Sequence, residues 1–214
     1  MKNLKFVFLA LGCMAALSLT SCMKNENTEE GLSSSDFSKC LNAVRGDYNG
    51  YLLYGAVNPQ IPADDIDTLA VSWSITADTM LIVRDFPLAP VVEKIVDANL
   101  KKELQEQNLH HPLRCHVGFT MIDPYIEFLL APLALEVPVT YKGQTHTLLV
   151  YFWFDSHSFG AKNLLTQEMN IHLVVAAAYL DDADSLNLLS RDYSTTVQVP
   201  ILLTTVDLNA EEEQ

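Results

Sequence analysis

Alternation of apolar and polar residues constrains this chain's fold more than any other feature. Between residues 69 and 76, apolar side chains at every second position alternate with small or polar ones. That period of two is typical of a strand with one buried face. Other strand signals, including aromatic-rich and continuously apolar runs, predict further strands at 48–57, 79–83, 114–122, 125–130, 136–141, 144–154, 170–180 and 195–206. The three alanines of 170–180 leave a helix open there as an alternative.

Turn residues join neighbouring strands into hairpins, which predicts a mostly antiparallel sheet. Ala77-Asp78 can turn the chain after the 69–76 strand, and Lys142-Gly143 matches a two-residue hairpin turn. The strand after Gly143 is apolar on both faces from Leu148 onward, so we expect it to be central and covered on both sides. Pro200 suggests an edge strand or a bulge, since proline cannot donate to a β-ladder.

Helical spacing occurs in two places. A short N-terminal helix is expected over 36–45, capped by Ser35 or Asp36 and lying as a lid on the main sheet. One long helix is expected to begin at Pro87 or Pro90 and to run through the polar stretch 101–108. The predicted fold class is therefore α+β, mostly antiparallel β-sheet, as a sandwich or a sheet wrapped on the helix.

The N-terminus carries a targeting signal. Lys2 and Lys5 precede an apolar run over 6–19, which is short for a membrane span and fits a secretory signal peptide. The run ends in Leu19-Thr20-Ser21-Cys22, which resembles the bacterial lipobox. Residues 1–21 are then a lipoprotein signal peptide, and Cys22 is the lipidated residue. The alternative is an ordinary secreted protein whose signal contains Cys22.

Composition divides the remaining chain into a tether, one domain and a tail. Residues 22–35 are polar and contain Gly and Ser, as expected of a flexible tether. Residues 36–208 are read as a single β-rich α+β domain, and 209–214 as an acidic tail. Glu26, Glu29 and Glu30 resemble the surface-export signal of Bacteroides-type lipoproteins, although a soluble spacer explains them equally well. We expect an outer-membrane lipoprotein that faces the periplasm or the cell surface.

Charge limits the classes of partner. Removal of Lys2 and Lys5 leaves 11 basic residues against 27 acidic ones, a formal charge of −16. Nucleic acid would be repelled by such a chain. The lipid anchor makes the membrane a partner, while the ligand or protein partner stays unidentified. No cofactor is predicted.

Two cysteines, Cys40 and Cys115, lie in the predicted domain. An oxidising compartment permits a disulfide between them. Cysteine is also among the most frequently buried residue types, so a pair of buried free thiols is the open alternative.

Recognised catalytic motifs are absent, and four clusters of chemically versatile residues remain. The histidine–cysteine cluster straddles a proline, and a strand would place Cys115 and His116 on opposite faces. The cluster at 155–158 lies in one predicted turn, whereas catalytic triads bring together residues from distant segments. The acidic cluster at 181–184 lacks the glycine and the distal glutamate of a calcium-binding loop. The clusters are His110, His111, Cys115 and His116; Asp155, Ser156, His157 and Ser158; Asp181, Asp182 and Asp184; and the aromatic set Tyr48, Tyr51, Tyr54, Trp73, Tyr151 and Trp153.

We predict no metal site and no catalytic residue from these clusters. The aromatic set would suit sugar rings or an apolar ligand if it were exposed on a sheet, but core packing is the more frequent fate of such residues.

Three blocks of sequence follow the lipobox in a recognisable order: GDYNGYLLYG, DTMLIVRDFPLAPVVEKIV and VPVTYKGQTHTLLVYFWF. This order is similar to an uncharacterised lipoprotein family of Bacteroides-type gut bacteria, a domain of unknown function. The resemblance implies an envelope lipoprotein with a compact β-rich domain, and it brings no activity.

The leading hypothesis is an envelope-anchored lipoprotein that binds a ligand or partner protein without catalysis. A hydrolase acting on an envelope or dietary substrate is the first alternative. A fimbrial or assembly subunit is the second, and it would require an exposed strand edge open to β-addition.

Overall fold

Within its described residues, the protein folds into ten strands and three short helices. The structure is a computed structural model, and it describes residues 32–55, 66–182, 186–190 and 197–206. The helices are α1 (Ser34–Val44), α2 (Ala89–Glu93) and α3 (Ala98–Glu106). The strands are β1 (Gly46–Gly55), β2 (Ile66–Ile75), β3 (Met80–Pro87), β4 (His110–Met121), β5 (Tyr125–Pro132), β6 (Leu135–Tyr141), β7 (Gln144–Trp153), β8 (Asp155–Asn163), β9 (Met169–Leu180) and β10 (Val199–Thr204).

Eight strands close into a barrel. Their order is β10-β1-β2-β3-β4-β5-β8-β9, and β9 pairs back onto β10. All pairings are antiparallel. The predicted fold class, an α+β sandwich or wrapped sheet with one long helix, is therefore wrong. The antiparallel β-sheet within that prediction is confirmed.

Strand β9 is the branch point of the sheet. Its first residues, Met169–His172, pair with β8, while Val174–Leu180 pair with β7. Its other side pairs with β10. Because β7 and β8 follow each other along the same side of β9, one long stretch of chain supplies both neighbours. Strand β6 then extends the sheet beyond β7.

Side chains of the strands fill the barrel interior. An eight-stranded barrel is just wide enough to be filled in this way. Alternate residues of each strand point inward, which gives β4 its buried–exposed alternation from Leu113 to Gly118. The most buried inward residues include Leu52, Leu81, Leu113, Cys115, Phe128 and Ile171.

The predicted long helix is instead two helices separated by a break. Helix α2 ends at Glu93, and Asp97 starts α3 by accepting hydrogen bonds from the backbone N–H groups of Asn99 and Leu100. A carboxylate in this role satisfies donors at a helix start that otherwise have no partner. Both helices bury apolar side chains at one end of the barrel, Val91 and Val92 from α2 and Leu104 from α3. No helix in the described ranges is long and apolar enough to cross a membrane.

Three strand expectations also need correction. Strand β8 begins at Asp155, where a turn was predicted. Strand β7 is not covered on both faces, because Tyr151 is 37% exposed. The strand containing Pro200 is not an edge strand, since β10 pairs with both β9 and β1. The ladder to β1 begins only at Leu202, so the missing N–H of Pro200 costs no bond there.

Among the described strands, β6 is a sheet edge that pairs on one side only, and it is protected. The side chain of Gln107 donates to the carbonyl of Thr140 at 2.7 Å and accepts from its N–H at 2.8 Å. Pro138 removes one further edge donor. This edge therefore offers little for an added strand, and the fimbrial alternative gains no support from it.

Barrel closure requires a glycine at position 50. A Cβ atom there would lie 2.1 Å from the backbone carbonyl oxygen of Thr204 and 3.0 Å from the Trp73 ring. Strand β10 therefore approaches β1 more closely than any side chain on Gly50 would allow.

We predict that Gly50→Ala lowers the free energy of unfolding by about 3 kcal/mol, because the added methyl forces β10 away from β1. Urea denaturation followed by circular dichroism measures the change. Gly118→Ala is the matched control, since a Cβ in that strand position meets no heavy atom within 4 Å. Its effect should stay within about 0.5 kcal/mol. Equal stability of the two variants would contradict the close approach.

Helix α1 lies over the other end of the barrel and is held by a buried lysine. Lys162 is 8% exposed, and its Nζ donates to the carbonyl of Ala43 at 2.8 Å. The hydroxyl of Tyr48 donates to the carbonyl of Val44. Both carbonyls belong to the last turn of α1, which lacks intrahelical donors and favours a nearby cation. Burial lowers the pKa of Lys162 below its usual value of 10.5.

This lowered pKa predicts a pH dependence of stability. The unfolded chain holds the Lys162 proton to higher pH than the folded protein does, so folding releases that proton as pH rises. Wild type should therefore gain stability relative to Lys162→Met between neutral pH and about 10.5. Urea titrations at pH 7, 8.5 and 10 measure this difference. Lys102→Met, an exposed position on α3, should show a constant difference. A difference that is flat or falls for Lys162→Met would contradict the prediction.

Candidate functional site

A cavity of about 370 Å³ lies where the ends of β1, β2 and β3 meet helices α2 and α3. Five elements contribute one ionisable side chain each, because the barrel brings these ends together. They are Tyr54 from β1, Asp67 from β2, Asp85 from β3, Glu93 from α2 and His110 from β4. Apolar wall residues are Leu69, Ala70, Pro87, Ala89, Val92, Leu104 and Leu109.

Tyr54 forms part of the buried floor. It is 8% exposed, and its hydroxyl has no hydrogen-bond partner among the described residues. Burial raises the pKa of Tyr54, and the negative charges of Asp67 and Glu93 raise it further. The hydroxyl therefore stays protonated at neutral pH, and it faces two carboxylates without bonding to either.

Glu93 adds a carboxylate to the cavity lining, and its side chain is 37% exposed. Its Oε2 atom is buried and has no hydrogen-bond partner in the described part of the chain. The other oxygen, Oε1, lies 3.6 Å from the Nζ of Lys94. A buried carboxylate oxygen without a donor is costly, which makes this atom an acceptor in need of a partner.

The rim of the cavity is polar and open to water. Asp85, whose side chain is 82% exposed, lies 3.3 Å from Nδ1 of His110. Asp67, Gln105 and Asn108 complete this rim. The cavity thus has an acidic rim above a floor of aromatic and aliphatic side chains. Such an arrangement can bind a ligand that donates hydrogen bonds and carries an apolar part.

One known family matches a range of the chain that contains the whole cavity. A family model described as "Domain of unknown function (DUF4840)" matches residues 43–180. The chain belongs to the DUF4840 family. The expectation of a domain of unknown function is thereby confirmed, and every cavity residue lies inside the matched range. Searches of curated proteins and of solved structures found no match.

A second depression on the DUF4840 domain lies on the outer face of β1, β2 and β3. It measures about 580 Å³ and contains Asp47, Asn49, Ser72 and Arg84. Its polar groups are partly satisfied, since the hydroxyl of Ser72 donates to Asn49 at 2.8 Å. It is wider and more open than the cavity, which is therefore the stronger candidate site.

The histidine–cysteine cluster of β4 does not converge. Cys115 points into the barrel, His116 points to solvent, and His110 belongs to the cavity rim. The ring of His111 contacts the carbonyl of Pro112 at 3.2 Å. Within the described ranges, no three His, Cys, Asp or Glu side chains are grouped so as to hold a metal ion.

The cluster at 155–158 is part of the DUF4840 sheet. The hydroxyl of Ser158 is buried, donates to the carbonyl of Trp153 and accepts from the N–H of Val174 at 3.3 Å. His157 stacks on the Trp153 ring at 5.2 Å between centroids. The side chain of Asp155 lies outside the described part of the structure. Ser158 is thus engaged in holding two backbone segments together.

Sequence reasoning missed a close contact between the side chains of His146 and Asp181. Their Nδ1 and Oδ2 atoms lie 2.6 Å apart, and the other Asp181 oxygen accepts from the N–H of Thr147 at 2.8 Å. These contacts lower the pKa of Asp181, the histidine contributing most. Asp184 of the same acidic cluster lies outside the described residues. Thirty-five positions separate the partners, so no local pattern indicates this pair.

The aromatic set divides between core and surface. Tyr54 and Trp73 are buried, and the Tyr48 ring stacks on Trp73 in the barrel interior. Tyr51 packs on the outer cluster around Leu53 and Leu202. Tyr151 and Trp153 lie on the outer face of β7 beside Phe154, which is 57% exposed. Core packing is therefore the fate of part of the set only.

Both cysteines of the domain are buried free thiols in the structure. The Sγ atom of Cys40 lies 3.9 Å from the carbonyl oxygen of Met121. Met121 is six residues from Cys115 along β4, which corresponds to about 20 Å. A disulfide needs Cα atoms within about 7 Å, so this arrangement favours the free-thiol alternative. Burial raises the pKa of the Cys115 thiol far above its usual range.

The sequence analysis identified only some of the residues that line the cavity. Tyr54 and His110 were singled out, whereas Asp67, Asp85 and Glu93 were not. One signal was present: Asp85 and Glu93 each interrupt an apolar run, LIV-RD-FPLAPVV-E. Its meaning depends on β2, β3 and α2 meeting at one end of the barrel, which spacing along the chain does not reveal.

Proposed function

We propose that this DUF4840 protein is an envelope-anchored lipoprotein that binds a small ligand in the cavity without chemically changing it. The anchor rests on Cys22 and its lipobox, and the binding site on the cavity bounded by β1–β3, α2 and α3. The Bacteroides-type envelope belongs to the same proposal.

The unpaired Oε2 atom of Glu93 carries the binding part of the proposal. Leaving a buried polar atom without a partner costs about 1–3 kcal/mol, more when the group is charged. The Tyr54 hydroxyl, whose pKa the Glu93 charge raises, is a second polar group of the cavity without a hydrogen bond among the described residues. A bound ligand with donor groups would remove this cost, whereas a purely structural role would favour apolar residues in the floor.

The chemistry of the lining supports binding over covalent catalysis. The side chains that line the cavity in the described structure include no serine, threonine, cysteine or lysine. The Ser158 hydroxyl, the nucleophile type of the second cluster, is buried and bonded to backbone groups. These positions give the hydrolase alternative no nucleophile of the serine, threonine, cysteine or lysine type.

The anchor predicts that Cys22 carries lipid. Cells fed an alkyne analogue of palmitate should label the wild-type protein, and Cys22→Ala should lose the label and leave the membrane fraction, since two or three acyl chains are needed for stable anchoring. Cys13→Ala is the control within the signal segment, and it should label as wild type does. Labelled, membrane-bound Cys22→Ala protein would contradict the anchor.

The cavity predicts a specific blocking effect. A fragment library screened against the full chain by ligand-observed NMR should yield binders that Ala89→Trp weakens at least tenfold, because Ala89 lines the cavity and the added ring fills it. Ala98→Trp is the matched control, since Ala98 also starts a helix but lies outside the lining. The proposal is overturned if no fragment binds or if Ala89→Trp has no greater effect than the control.

A further inference from the structure

We propose that the ligand of the cavity is a small organic ammonium ion with an alkyl chain. This inference rests on the proposed function, because it names the ligand class of the same site. It follows from three features of the cavity: the charge of its rim, the unpaired acceptor in its floor and the apolar character of its walls.

The charge of the cavity selects a cation. Asp67, Asp85 and Glu93 contribute three carboxylates, while His110 is the sole basic side chain in the described lining. That imidazole already lies against Asp85 at 3.3 Å. The Lys94 ammonium group lies 3.6 Å from Oε1 of Glu93, so the three carboxylates face one ammonium group and one imidazole. The site keeps an excess of negative charge, which repels an anionic ligand.

The floor distinguishes a hydrogen-bond donor from other cations. The buried Oε2 of Glu93 accepts only from a donor, and an ammonium group offers up to three N–H bonds. The hydroxyl oxygen of Tyr54 is a second acceptor in the same floor, and the phenol ring gives a cation a favourable aromatic face. Charge-assisted bonds of this kind are the stronger class of hydrogen bond.

The walls distinguish an organic ammonium ion from a bare metal ion. Val92 and Leu104 are buried residues whose side chains line the cavity, and they offer an alkyl chain a surface that a metal ion would not use. The described carboxylates are also not grouped as metal ligands. Instead they differ in exposure, since Glu93 buries its Oε2 atom whereas Asp67 and Asp85 are exposed at the rim. A chain with an ammonium group at each end engages both.

Three probes of equal length test this inference. Isothermal titration calorimetry of the full-length protein would compare 1,5-diaminopentane, 1,5-pentanediol and glutarate, which differ in charge but share a five-carbon chain. The diamine should bind at least tenfold more tightly than the diol, and glutarate should not bind. Raising salt should weaken the diamine, because screening acts on the exposed rim carboxylates.

Variants locate the binding. Glu93→Gln and Asp67→Asn should each weaken the diamine about tenfold, which is the loss of one charge-assisted bond worth about 1.4 kcal/mol. Glu136→Gln, which removes an exposed carboxylate of β6, should leave the affinity unchanged. Two cavity variants are used so that one still tests the site if the other does not fold. Circular dichroism checks that each variant is folded.

The outcomes separate this inference from the proposed function. Tighter binding of glutarate or of the diol, lost in Ala89→Trp, would keep the cavity as the site and overturn the ammonium ion. Equal weakening by Glu136→Gln would also overturn it, since it would mark a non-specific charge effect. Binding of none of the three probes overturns the ammonium ion as well, and the fragment screen with Ala89→Trp then judges the cavity separately.

Discussion

Pairing of β10 with both β9 and β1 is the interaction on which the rest of this structure depends. Without it, β1 and β9 would each present an open edge to solvent. The buried side chain of Thr204 secures the contact by bonding to Asn170 at 2.7 Å. Gly50 allows the close approach that closure needs. Closure also fixes the interior volume, so the inward side chains of eight strands pack as one core.

Individual strands were predictable, but closure was not. Nine of the ten strands were expected near their observed positions, because the residue patterns typical of strands are local properties of the sequence. The exception, β8, begins with polar residues that read as a turn. Closure joins residues such as Tyr51 and Thr204, which lie far apart in sequence. A single sequence contains no signal for that pairing, and Pro200 even suggested an edge there.

The break between the helices and the cavity were not predicted for a different reason. Their local signals were present in the sequence but ambiguous. Asp97 was available both as a residue within a longer helix and as a cap, and the structure uses it as a cap. The resulting break lets α2 and α3 turn separately across the barrel end, which places Glu93 of α2 beside Tyr54. A carboxylate oxygen buried without a hydrogen-bond partner, as Oε2 of Glu93 is, is therefore a product of tertiary packing that a periodic pattern cannot express.

The direction of β1 relates the proposed anchor to the proposed site. Strand β1 starts next to α1, where Lys162 and Tyr48 hold the helix, and it ends at Tyr54 in the cavity floor. The eight steps along the strand from Gly46 to Tyr54 span about 26 Å at the usual rise per residue. A lipid on Cys22 would therefore attach the chain at the α1 end and leave the cavity at the opposite end. Such an arrangement suits a protein that takes its ligand from the surrounding solution rather than from the bilayer.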